Sequence, residues 1–236
     1  MNNNDIIKLK EMIDSSKKIV VFSGAGISVP SGIPDFRSSN GLYSTEYEGL
    51  SPEEIISHSF FLRNPRIFYK FYFDKMIFKN ALPNLAHKYF AKIGAIIVTQ
   101  NIDNLHTLAG SKTVYELHGN VYRNYCMKCH KFYDLKDIKT EGVPMCECGG
   151  MIKPDVVLYE EGLDSNTIMG AIKAISEADM LIIVGTSLRV YPAAGFINYY
   201  KGDKLVVLNK EKTPFDGGAN LAIYGDIVDI VKELDK

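Results

Sequence analysis

The 236-residue sequence predicts an α/β fold, a doubly wound parallel sheet with a second, smaller domain inserted into it. Three observations carry that expectation. Short apolar runs rich in β-branched residues recur along the chain, and they are continuous, as in strands covered on both faces. Stretches of helical periodicity separate them. Two segments, 38–92 and 122–154, break the alternation and read as insertions.

A helix over 5–15 precedes the first strand, 18–22 (KIVVF), which runs into Gly24-Ala25-Gly26. Residues 38–92 read as helical throughout. Ser51-Pro52-Glu53-Glu54 is a capping box with proline at the first helical position, an aromatic-rich helix covers 65–78, and another starts at Pro83. Strand 95–99 (AIIVT) is followed by a helix over 103–109 that Gly110 stops, then by strand 113–117 (TVYEL). Beyond the cysteine segment come a helix at 165–177, strand 180–184 (MLIIV), a helix at 191–200, strand 204–208 (KLVVL) and a weaker strand near 220–224. Asp226 is placed to cap a final helix over 226–235. The expected large domain is therefore 1–37, 93–121 and 155–236; a helical module, 38–92, and a cysteine module, 122–154, make the small one.

A net charge of −1 and 46% hydrophobic residues describe an ordinary globular chain without the basic footprint of a nucleic-acid binder. Met1-Asn2-Asn3-Asn4-Asp5 has neither the basic nor the apolar part of a secretory signal, and no apolar run approaches the roughly 18–20 residues of a membrane span. The expectation is a cytoplasmic, monomeric protein without nucleic-acid or membrane partners. All four cysteines fall between 126 and 148. Disulfide frameworks spread cysteines, whereas metal sites pair them closely. Cys126 and Cys129, with Cys146 and Cys148, can grip one tetrahedral zinc and leave no position open, so the ion would be structural. The second pair is a tight C-x-C, for which Gly149-Gly150 supplies permissive backbone. His130 as a substitute ligand, and four metal-free thiols, are the alternatives.

The strand ends carry the chemistry, because ligands of open α/β sheets bind beyond the carboxyl ends of strands. Gly24-Ala25-Gly26 starts like a dinucleotide turn, yet Val29 stands where a third glycine belongs and Pro34-Asp35-Phe36-Arg37 follows. Thr99-Gln100-Asn101-Ile102-Asp103 puts amides and a carboxylate beyond the second strand, with helix capping as the simpler role for Asp103. His118, in Leu117-His118-Gly119-Asn120, offers a base titrating near neutrality on a rigid strand end. His58, His87, His106 and His130 read as structural or surface residues. Gly185-Thr186-Ser187 and Asn209 add backbone N–H, hydroxyl and amide groups suited to phosphate or ribose oxygens.

Taken together, GAGIS…SGIPDFRS, TQNID-x-LH, LHGN, C-x-x-C…C-x-C, GTSL-x-VYPAA and Asn209 resemble the sirtuins, NAD-dependent protein lysine deacylases, of the short bacterial type. The likeness runs from about residue 5 to the C-terminus. It implies a Rossmann-like NAD+-binding domain, one structural Zn2+, and acylated-lysine proteins or peptides as substrates. Removal of the acyl group would release nicotinamide and O-acyl-ADP-ribose through an alkylimidate, with His118 taking a proton from the ribose. By the same likeness Ala25 and Gly26 would approach the phosphates, with Gly24 in the same cofactor-binding turn and Arg37 helping to neutralise them, and Asp35 would enter the site with Phe36, which shields the reactive carbon. Gln100, Asn101, Ile102 and Asp103 would hold ribose, water and nicotinamide, while Gly185, Thr186, Ser187, Asn209, Asp226 and Ile227 match adenosine-side positions. The peptide would add as a strand between Val156, Val157 and Tyr159 on one side and Leu188 and Val190 on the other.

Departures from the family pattern accompany the likeness. Tyr159-Glu160-Glu161 stands for Phe-Gly-Glu, so a charged side chain at 160 would weaken peptide docking or favour basic flanking residues. Val29 stands where many members have threonine, which removes a hydroxyl. Tyr72 and Lys75 fall where acidic-acyl readers carry tyrosine and arginine; lysine is the poorer carboxylate reader, and an acetyl or other apolar acyl group is expected. Mono-ADP-ribosyl transfer to protein, and a non-catalytic NAD-sensing scaffold, are the competing functions.

Overall fold

The computed structural model describes residues 2–36, 41–213 and 215–236. Its strands are β1 (Ile19–Ser23), β2 (Ile96–Thr99), β3 (Val114–Glu116), β4 (Gly119–Cys126), β5 (Phe132–Asp134), β6 (Ile152–Val156), β7 (Met180–Val184), β8 (Leu205–Asn209) and β9 (Leu221–Tyr224). Six form one all-parallel sheet in the order β3-β2-β1-β7-β8-β9. Counted within that sheet the order is 3-2-1-4-5-6, the Rossmann arrangement, whose switch point lies between β1 and β7. The other three make an antiparallel sheet, β5-β4-β6.

The unbroken apolar runs have the expected cause. Ile19 and Val21 pack into one layer while Val20 and Phe22 pack into the other. The first layer is supplied by α1 (Asn3–Asp14), α5 (Leu85–Lys92) and α8 (Ile227–Leu234). The second comes from α7 (Ser165–Ser176) and a 3-10 helix at Ala193–Tyr199. A helix over 191–200 was the expectation there; Pro192, which cannot donate, precedes a tighter coil in place of a full α-helix.

The segment expected to be helical throughout is only partly so. It holds α2 (Pro52–Ile55), α3 (His58–Arg63) and α4 (Pro65–Lys75), while 41–50 and 77–84 contain no helix. Ser51 Oγ accepts from Glu54 N at 3.2 Å, the cap that the sequence motif predicts. These helices enclose an aromatic core in which the Phe61 and Phe68 rings meet edge-on at 4.8 Å, a contact worth about 0.5–1.5 kcal/mol beyond its buried area. Helix α5, placed with that module by its sequence position, instead buries Ala86, Tyr89 and Phe90 against the large sheet. Between β2 and β3 lies the short α6 (Leu105–Leu108), reduced from the expected 103–109 because Asn104, at φ +65°, turns the chain left-handed before it. Among the described residues no helix is long and apolar enough to cross a membrane.

Candidate active site

The carboxyl ends of β1 and β7 are joined loop to loop. Gly26 N donates to Gly185 O at 2.8 Å and Gly24 N to Val184 O at 3.0 Å. A Cβ on Gly26 would sit 2.7 Å from Gly185 Cα, and one on Gly185, at φ +57°, would sit 2.4 Å from Ile27 N. These glycines therefore serve the close approach of the two loops, and Gly26 N–H is already engaged. The turn itself is a 3-10 coil at Ala25–Ile27. Thr186 Oγ1 donates to Gln100 Oε1 at 3.1 Å, tying β7 to β2, and Gln100 Nε2 is buried without a partner. Asn209 Nδ2 donates to Thr186 O at 3.3 Å and to Glu211 O at 3.0 Å; Ser187 is exposed beside them. Asp226 caps α8 through Val228 N at 2.9 Å, ahead of buried Ile227.

Asp103 does more than cap. Its Oδ1 accepts from Leu105 N at 2.9 Å, and its Oδ2 accepts from Ser28 Oγ at 2.6 Å. Ser28 Oγ in turn accepts from Asn101 Nδ2 at 3.1 Å. Burial raises the Asp103 pKa, and these hydrogen bonds oppose the rise. Ala25, Phe36, Asn101, Ile102 and Asp103 line one cavity of about 50 Å³. Asp35 lies in sequence between Pro34 and Phe36, which line the cavity, and its carbonyl accepts from Leu42 N at 2.8 Å. Arg37 lies outside the described residues.

His118 follows β3. Its Nδ1 meets the Gln100 carbonyl at 2.9 Å, and since a carbonyl only accepts, Nδ1 carries the proton and Nε2 the lone pair. Burial lowers its pKa, against the partly raising effect of that bond, so the ring is neutral at pH 7. The next residue, Gly119, opens β4 and leads the chain into the small sheet.

Two of the histidines read from the sequence as structural or surface residues lie buried beneath this site, as a pair that the sequence does not show. His87 and His106 are buried with their rings 4.8 Å apart. His106 Nε2 lies 2.9 Å from Ser23 Oγ, which donates to Thr99 Oγ1; His87 Nε2 lies 3.5 Å from Ser28 Oγ. Both Nδ1 atoms lack partners, so protonation would create a buried N–H with nothing to receive it. Burial pushes His87 down to about 4, and His106 well below its ordinary value. Unfolded histidine takes up a proton near pH 6.5 while folded His87 resists it to about 4, so stability is expected to fall as pH drops through that window. His87 alone accounts for about 3 kcal/mol. Denaturant midpoints across the window measure this, and the decline should be shallower in His87→Gln; equal slopes in both proteins would remove His87 as the cause.

The expected docking shelf is braced. Val157 N donates to His118 O at 3.0 Å. Tyr159 is clamped by Ile56 O and His58 N. Glu160, at φ +75°, is exposed. Its carboxylate accepts from Ser59 N at 2.8 Å and Ser59 Oγ at 3.0 Å in the first turn of α3. Across the cleft Leu188, at φ +53°, is buried, and Val190 O accepts from Ala194 N at 2.9 Å. Val156 is buried in the aromatic core. Tyr72 belongs to that core too, whereas Lys75 lines the cavity.

The Sγ atoms of Cys126, Cys129, Cys146 and Cys148 all lie within 4.8 Å of one another, and His130 is not among them. Cys126 and Cys148 are 3.4 Å apart and Cys129 and Cys146 3.6 Å, close to the roughly 3.8 Å edge of a tetrahedron with zinc–thiolate bonds. Tyr133 donates to Cys146 Sγ at 3.1 Å. The tight C-x-C therefore closes the same tetrahedron as the wider pair.

Residues 24–192 match the Sir2 family. The chain is 56% identical over 234 residues to an NAD-dependent protein deacetylase of Clostridium perfringens, covering 95% of this chain and 96% of that one. It is 45% identical to a Staphylococcus aureus protein of the same description, covering 98% of each. Among solved structures, a Sir2 with deacetylated p53 peptide and 3'-O-acetyl-ADP-ribose superposes with a TM-score of 0.88 at 37% identity, covering 97% of this chain and 96% of that one. A Sir2–p53 peptide–NAD+ complex gives a TM-score of 0.85 at 38% identity, covering 96% and 95%.

Proposed function

The chain belongs to the Sir2 family, and from that premise we propose that it removes acetyl groups from protein lysine side chains with NAD+ as co-substrate. The observation that carries the reading is His118, a neutral base whose Nδ1–H is held by Gln100 O while Nε2 keeps its lone pair at the strand-end crevice.

The residues present fit a bound dinucleotide. Gln100 Nε2 is a buried donor awaiting an oxygen, and the glycines at 24, 26 and 185 hold the two loops at a separation that no side chain permits. When bound, NAD+ supplies an electrophilic ribose carbon, on departure of nicotinamide, that accepts the acyl oxygen. Asp103, fixed by Ser28 and Leu105, orients a carboxamide; Ile102 and Phe36 keep water from the cavity. Thr186, Ser187, Asn209 and the α8 cap at Asp226 serve the adenosine side, with Ala25 at the phosphates and Asp35 entering the site beside Phe36. His118 Nε2 removes a hydroxyl proton from the sugar. The four cysteine thiolates would hold one Zn2+, whose contribution is structural: it ties together a module whose own core is small.

Several finer assignments belong to the same proposal. The large domain follows the expected 1–37, 93–121 and 155–236, with α5 added to it and the strand residues 119–121 and 155–156 passing to the small antiparallel sheet. An acetyl or other apolar acyl group is the preferred cargo: Tyr72 is withdrawn into the core, so Lys75 lacks the tyrosine partner of an acidic-acyl reader. Cysteines paired at metal-ligand spacing support a reducing, cytoplasmic setting, and the net charge of −1 supports protein over nucleic-acid partners, the chain acting as a monomer.

Mass analysis of a reaction containing the protein, NAD+ and an acetyl-lysine peptide tests the reading. The expected products are free-lysine peptide, nicotinamide and O-acetyl-ADP-ribose in equal amounts. ADP-ribosylated protein with the acetyl group still on the peptide would select the transferase instead.

A further inference from the structure

Among the described residues, a side-chain contact joins the shelf that receives the peptide to the aromatic ring that lines the cavity. Tyr159 is rigid at its backbone. Its N–H donates to Ile56 O at 3.1 Å, and its carbonyl accepts from His58 N at 3.0 Å. On either side the shelf is pinned further, by Val157 N to His118 O and by the Glu160 carboxylate on Ser59. From this fixed base the Tyr159 hydroxyl reaches the Tyr43 hydroxyl at 3.2 Å. Tyr43 backs Phe36 in two ways. Its backbone N–H donates to Phe36 O at 2.9 Å, and the two rings lie 5.4 Å apart at 59°. Phe36 then lines the cavity with Asn101, Ile102 and Asp103.

We infer that Tyr43 and Tyr159 are a positioning pair, whose hydroxyl contact holds Phe36 over the reacting carbon and so sets how much of the cofactor is consumed by acyl transfer rather than by water. The inference rests on the deacetylase reading above. Neither tyrosine lines the cavity. They act through Phe36, and the link runs from the same shelf on which the peptide lies. When Phe36 is less firmly held, water attacks the ribose carbon: its oxygen forms the new bond, the bond to nicotinamide breaks, and the second water proton goes to solvent. The product is ADP-ribose in place of O-acetyl-ADP-ribose.

Tyr43→Phe and Tyr159→Phe each remove one hydroxyl and keep the ring. With saturating NAD+ and acetyl-lysine peptide, the ratio of ADP-ribose to O-acetyl-ADP-ribose should rise on the order of three- to tenfold in each, the worth of one hydrogen bond. The double variant should rise no further than the single ones, because both report one contact. This ratio is insensitive to how much of a preparation is folded, so merely structural damage would not move it. Effects that multiply in the double variant, or an unchanged ratio in the single ones, would overturn the pair. A wild-type protein that forms no O-acetyl-ADP-ribose would instead overturn the deacetylase reading itself.

Discussion

His118→Ala is expected to lower kcat/KM for deacetylation by about 10²–10⁴-fold, the usual contribution of a positioned general base. The reason is specific to the geometry. The Gln100 carbonyl, 2.9 Å from Nδ1, fixes one tautomer and leaves Nε2 as acceptor, and alanine removes that acceptor without touching the glycine-rich loops of β1 and β7. Binding of NAD+ should therefore survive, as should peptide-dependent exchange of labelled nicotinamide into NAD+, since the base is needed only after the glycosidic bond has opened. The wild-type pH profile gives an independent reading. Burial lowers the His118 pKa, so the ring loses its proton below the ordinary histidine value and the acid limb of kcat/KM should lie below pH 6.5. Loss of deacetylation and exchange together in His118→Ala would mean that the ring shapes the pocket and is not the base.

The parts of this site that were legible in the sequence are those whose cause is local. Continuous runs such as Met180–Val184 read as strands buried on both faces, because a run of strand length, rich in β-branched residues and bounded by Asp179 and Gly185, suits a central strand better than a helix. His118, Asp103 and the cysteine pairs stand out because their residue types sit at strand ends or metal-ligand spacing. What escaped depends on distant partners. His87 and His106 are 19 positions apart and meet because α5, which carries His87, packs against α6, which carries His106. The sequence shows a charge at Glu160 but not its anchor, Ser59 on α3, 101 residues away. Gly24 and Gly26 read as space for phosphate; Gly185, 159 positions beyond Gly26, accounts for much of that space.

Gly119→Ala should be the most damaging methyl that can be added near the site. A Cβ there would lie 1.9 Å from Asp155 O and 2.8 Å from its carbonyl carbon, both backbone atoms of β6 that cannot swing aside, and the residue sits at φ +79°. The two penalties can be separated. Gly94, just past α5, has φ +70° with nothing within 4 Å of its Cβ position, so Gly94→Ala carries the left-handed backbone penalty alone, about 1 kcal/mol. Gly119→Ala should cost about 3 kcal/mol or more, because overpacking against fixed atoms is added to it. Its effect on catalysis should exceed its effect on folding. Relief of the clash must part β4 from β6 where Gly119 pairs with Val156, and the neighbouring His118 O to Val157 N bond shares that junction. Shelf and base would then shift together, so peptide KM should rise while kcat falls. Denaturation of both variants beside their steady-state kinetics measures this. Equal destabilisation by the two alanines would show that β6 yields freely, and that the junction does not hold His118 in place.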